Sequence, residues 1–149
     1  MNPFDIKSAL LAKHAQHVVL IHFPIALFLT GVAFDFVALW TKRAILAVAA
    51  YVNLIVAAIS VPAVLVTGLL AWRLQLEGQR LKGVLLLHLI LGCLSGVLIC
   101  VVAWIHWRMQ RDPGKAAPKY RLGLELTATL IVVLTGHLGG FLSGVNFSG

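Results

Sequence analysis

Apolar positions fall into four long blocks along the chain, about His17–Trp40, Ala44–Trp72, Gly83–Trp107 and Leu122–Val145. Each is close to the ~20 residues needed to cross a hydrocarbon core of ~30 Å. The stretches between them are short and polar, so consecutive helices must run antiparallel. The pattern predicts an all-α, up-down-up-down four-helix membrane bundle, a single domain over residues 1–149. Residues 1 to about 16 read as an interfacial lead-in. There Phe4, Ile6, Leu10 and Leu11 would lie on lipid while Lys7 and Lys13 face headgroups. A cleaved signal peptide is not expected, because Asp5 interrupts the charged region and no small-residue cleavage site follows.

Composition agrees. The chain is 60% hydrophobic and 11% charged, where a soluble domain carries roughly a quarter charged residues. The net charge of +7 lies in the connections, where it orients a membrane protein and meets anionic lipid. Nucleic acid is therefore not the expected partner. With four spans both termini share one side. That side carries five basic residues (Lys7, Lys13, Arg73, Arg80, Lys82) and the other carries seven. The bias predicts periplasmic termini.

Polar residues inside the spans are the next signal. Asp35 near the end of the first span is expected to pair with Lys42 or reach the interface. Asn53 is expected to hydrogen-bond another helix. Glu125 lies one turn after Arg121, which suggests a surface ion pair. Cys93 and Cys100 read as small core residues rather than ligands. At seven residues along one helix they are about 10 Å apart and cannot bridge each other. Cys-x-x-Cys-His does not occur, which excludes covalent c-type haem. Paired carboxylates, a Ser-His-Asp set and a phosphate loop are not apparent. Gly92 with Gly96, and Gly136 with Gly140 and Gly144, make smooth ridges that suit a neighbouring helix or a flat ligand.

The histidines carry the candidate chemistry. An ionisable ring in an apolar span is a functional-site hypothesis. His22 and His88 lie about five residues in from the terminal side, and His137 about eight, which at 1.5 Å per residue is roughly 8–12 Å deep. Alternating helix direction brings the three to one layer, with His17 and His14 above it and His106 at the opposite interface. Two of His22, His88 and His137 suit the axial positions of a b-type haem buried by apolar helix faces, with His17, Gly136 and Gly140 lining the site. Lys13, Arg73, Arg80 or Lys82 would meet the propionates. The same layer also suits a quinone, a metal or a proton path.

The segments His22-Phe23-Pro24-Ile25-Ala26 and Gly136-His137-Leu138-Gly139-Gly140, with Asp35 and His88, resemble a bacterial four-helix membrane family of unknown function. That family is in turn similar to the four-helix b-type cytochromes. The resemblance covers nearly the whole chain. It implies a multi-pass protein of the bacterial inner membrane that carries haem on His22, His88 or His137. It also implies a place in a respiratory complex, exchanging electrons with a quinol or a c-type cytochrome. Such a chain is a subunit rather than a stand-alone enzyme. The alternative is a haem-free anchoring subunit, its glycine ridges holding partner helices.

Overall fold

A computed structural model describes residues 15–75, 78, 80–112, 114 and 117–143. The expected lead-in, with Lys13 and His14, lies outside them, as does Gly144. The described chain forms four helices, α1 (Ala15–Thr41), α2 (Ala44–Gln75), α3 (Gly83–Arg111) and α4 (Arg121–Leu142). All four are long and apolar enough to span a membrane. Pro24 lies inside α1 and Pro62 inside α2. Each leaves a carbonyl one turn back without its amide partner, a loss that membrane helices tolerate.

Connection lengths set the topology. Lys42 and Arg43 alone join α1 to α2, with Lys42 in the left-handed region at φ 55°. So tight a turn forces the two helices antiparallel and side by side, and they form the most extensive interface of the bundle. The α2–α3 and α3–α4 interfaces follow, and the α1–α4 seam is the least packed. The four helices thus form a ring, closed most loosely between first and last.

The core lies along the bundle axis. Phe28 and Val32 of α1 meet Leu54 and Ala57 of α2, Ile99 and Val102 of α3, and Ala128 and Val132 of α4. Outward faces are as apolar as the core, with Val19, Phe23, Ile45, Ile59 and Leu130 exposed. In water these would be liabilities; against acyl chains they are the required surface. Exposed Trp40, Trp104 and Tyr120 all stand at the end of the bundle away from the termini. There Arg108 stacks on Trp104 at 5.5 Å and Arg111 on Trp107 at 4.4 Å. Aromatic and basic side chains together mark a membrane interface.

Close approach of α1 to α2 depends on Gly31. A Cβ there would sit 2.9 Å from Leu54 Cγ and 3.3 Å from Ala50 O. Gly31→Val should destabilise the bundle by about 1–3 kcal/mol through overpacking. Thermal unfolding in detergent measures it, and an unchanged midpoint would mean that α1 and α2 separate at no cost. Gly96 plays the same part between α3 and α2, its Cβ position lying 2.9 Å from Val61 Cγ1.

Two expectations for polar and thiol groups need correction. Asn53 Nδ2 donates to Ala49 O of its own helix at 2.8 Å rather than to a neighbour. Cys93 and Cys100 face outward rather than into the core. Ser95, Gly96 and Ile99 take the buried side of α3 instead, and the two cysteines flank Gly96 one turn either side, at the exposed edge of the α2–α3 contact.

Candidate functional site

At the end near the termini, the four helices enclose a cavity of about 260 Å³. His17 of α1 and His88 of α3 line it, with Pro24 and Ile25, Leu65 and Gly68, Ser95, and Thr135 and Gly136. Apart from its polar groups the wall is apolar, mostly aliphatic with Trp72 among its lining residues. The volume sits just below the ~300–1,000 Å³ typical of small-molecule sites, and the loosely packed α1–α4 seam forms part of its boundary.

Two glycines seat the two imidazoles. The Cβ position of Gly68 is 2.9 Å from His17 Cε1, and that of Gly139 is 3.1 Å from His88 Cε1. Any larger residue would push the ring away. Hydrogen bonds then fix each ring's tautomer. His88 Nδ1–H donates to Thr135 O at 3.2 Å. His17 Nδ1 lies 3.1 Å from Thr67 Oγ1. Thr67 spends its own hydroxyl proton on Ala63 O at 2.9 Å, so its oxygen accepts and His17 carries the proton on Nδ1. In both rings Nε2 keeps its lone pair. A neutral imidazole with Nδ1–H tied to the protein and Nε2 free is the form that binds metal. Ser95 and Thr135 share a further hydroxyl–hydroxyl bond of 2.9 Å at the cavity wall.

The expected layer is thus divided. The structure brings His88 together with His17. It places His22 and His137 on the outer surface, and His22 Nδ1 donates to Val18 O of its own helix at 2.6 Å. Gly136 lines the cavity, whereas Gly140 faces open space. Helical phase explains the split between the first two. His17 and His22 are five residues apart, about 500° around the helix, so they cannot share a face. Depth alone had grouped them.

The opposite end holds a second constellation, and here four sequence expectations are overturned. Asp35 is buried and pairs with Arg121, Oδ2 to Nη2 at 3.0 Å, not with Lys42. Glu125 is fully buried rather than at the surface. His106 is buried rather than at the interface, and its Nε2–H donates to Glu125 Oε1 at 2.8 Å. Arg121 Nε lies 3.7 Å from the same oxygen, and Nη1 reaches Met109 Sδ at 3.7 Å. Paired carboxylates therefore do exist: oxygens of Asp35 and Glu125 and a nitrogen of His106 lie within 4.8 Å of one another. The sequence did hold a signal, since four ionisable residues stand within or at the edges of apolar spans. What it lacked was helical phase across three helices.

A multi-pass membrane bundle with polar constellations at both ends is a defined class but a broad one. Residues 13–145 match the family described as predicted membrane protein DUF2231, and the chain belongs to that family. No curated protein and no solved structure matches it.

Proposed function

We propose that this chain is a membrane electron-transfer subunit that holds one b-type haem between His17 and His88. The supporting observation is the pair of imidazoles, on different helices and facing one apolar cavity, each with Nδ1–H bound and Nε2 unprotonated. The donor set fits a haem iron, which takes two neutral imidazoles. The walls fit a macrocycle in part, since Gly92, Gly96 and Gly136 present no side chain toward the cavity. Bound there, the haem would supply one-electron transfer. The chain's own work is to orient two ligands through Thr67 and Thr135, exclude water with an apolar wall, and offer cations. Arg73, Arg80 and Lys82 at the same end are exposed and available to propionates.

Termini on the periplasmic side of a bacterial inner membrane would place this site near that face, within reach of a partner c-type cytochrome or a quinol. A second reading is favoured by one observation. A cavity of about 260 Å³ beside the loosest helix seam suits a quinone ring arriving from the lipid. The two imidazole Nε2 atoms would then accept from the hydroxyls of its reduced, quinol form.

Reduced-minus-oxidised absorption spectra of protein isolated from its native membrane separate the readings. A sharp b-type band supports haem. A colourless protein that retains extractable quinone supports the second reading. A colourless, quinone-free protein that co-purifies with larger subunits would leave an anchoring role instead.

A further inference from the structure

On the lipid-facing side of α2 and α3 a groove of about 540 Å³ runs along the bundle. On α3 it follows Cys93, Val97, Cys100 and Trp104, all exposed and on one helix face. From Cys93 to Trp104 that is about 16 Å at 1.5 Å per residue. Pro62 and Leu65 of α2 form the other bank. The walls carry two thiols and one indole but no carboxylate, hydroxyl, imidazole or cation. A ring with polar substituents would leave them unsatisfied there, whereas a hydrocarbon chain has none to satisfy.

A single layer of side chains separates this groove from the histidine cavity, since Val61, Leu65, Cys93 and Gly96 line both. The two helices touch at Gly96, whose Cβ position lies 2.9 Å from Val61 Cγ1. One turn nearer the termini they part. The Cβ position of Gly92 meets Thr135 of α4 at 3.9 Å and, among the described residues, nothing of α2 within 4 Å. A chain therefore has room to pass from cavity to groove over Gly92, between Leu65 and Cys93.

Apolarity alone selects no occupant, because the acyl chains of the bilayer fill such a groove equally well. A ring anchored in the adjoining cavity changes that, since its tail is delivered to the groove by attachment. We propose that the histidine cavity takes an isoprenoid quinol, whose ring sits beside His17 and His88 and whose tail crosses over Gly92 and lies in the α2–α3 groove, pointing toward Trp104. This rests on the quinone reading of the cavity and adds to it the tail path and the prenylated class of ligand. The polar ring is then held where the acceptors are, and the tail runs into the hydrocarbon depth of the membrane.

Binding to the full chain in lipid nanodiscs, under anaerobic conditions, tests this. The probes are a tailless benzoquinol and its decyl-tailed homologue, the latter also with a diazirine at the end of the decyl chain. Both quinols should bind saturably, and both should lose binding in His88→Ala. Photolysis should place adducts on Pro62 or between Cys93 and Trp104, and excess unlabelled homologue should remove them. Cys100→Trp fills the groove from the lipid side. It should weaken the decyl-tailed quinol about tenfold, the scale of an overpacking penalty, and leave the tailless one unchanged. Val97→Trp should give the same contrast. Adducts on α1 or α4, or both variants binding the decyl-tailed quinol as the parent does, would overturn the tail path while the ring reading stands. No saturable binding of either quinol would overturn both.

Discussion

Arg121→Leu should destabilise the folded bundle by about 3–5 kcal/mol, the usual cost of removing one partner from a buried ion pair. The side chain is almost fully enclosed and faces Asp35 at 3.0 Å, with Glu125 Oε1 at 3.7 Å. Without it Asp35 remains a buried carboxylate with no cation, in a setting where an uncompensated charge has no good alternative. The α1–α4 seam should suffer most, because it is the least packed interface and this pair bridges it. Thermal unfolding in detergent, read as loss of helicity, measures the effect. Adding Asp35→Asn should recover part of the loss, because the orphaned charge goes with it. A double variant as unstable as the sum of the two single changes would mean that Arg121 acts through packing instead.

The second large effect is expected at Thr67. Its oxygen accepts the Nδ1 proton of His17 at 3.1 Å, and so holds the ring in the tautomer and orientation a metal ligand needs. Removing such a supporting group typically costs 10–100-fold in affinity. Thr67→Val keeps the shape and deletes the acceptor. Haem affinity should fall by that factor, read from haem titration of the purified apoprotein, with the helical content unchanged. Thr67→Ser should restore it. Equal affinities in all three proteins would remove His17 from the ligand pair.

Much of this architecture is legible in the chain itself. Four apolar blocks separated by short basic connections leave little choice but an antiparallel helical membrane bundle, and that is the fold observed. The glycine ridge expected on α4 is met only at Gly136, whose Cβ position lies 3.8 Å from Ile25 of α1; Gly140 meets nothing, and Gly139, which seats His88, lies off that ridge. The sites were less legible for one physical reason. Depth along a helix follows from counting residues, but facing depends on rotation, at 100° per residue. An error of one or two residues in phase moves a side chain from core to lipid. His17 and His22 illustrate this on one turn and a half of α1. So does the far-end cluster, where Asp35, His106 and Glu125 each have an acceptable surface reading alone. Their burial becomes apparent only when three helices are placed together.

His17 and His88 are the proposed ligands of one haem iron. Haem-to-chain ratios of His17→Ala, His88→Ala, His22→Ala and His137→Ala, measured by pyridine haemochrome on protein from native membranes, test it most directly. The expected ratio is near one for the parent chain and for the two variants of outward-facing histidines, His22→Ala and His137→Ala. Bound b-type haem should be lost in His17→Ala and in His88→Ala. Haem retained in both of those, or lost in His22→Ala while His17→Ala keeps it, would rule out His17 and His88 as the pair and return the ligands to the outer face of the bundle.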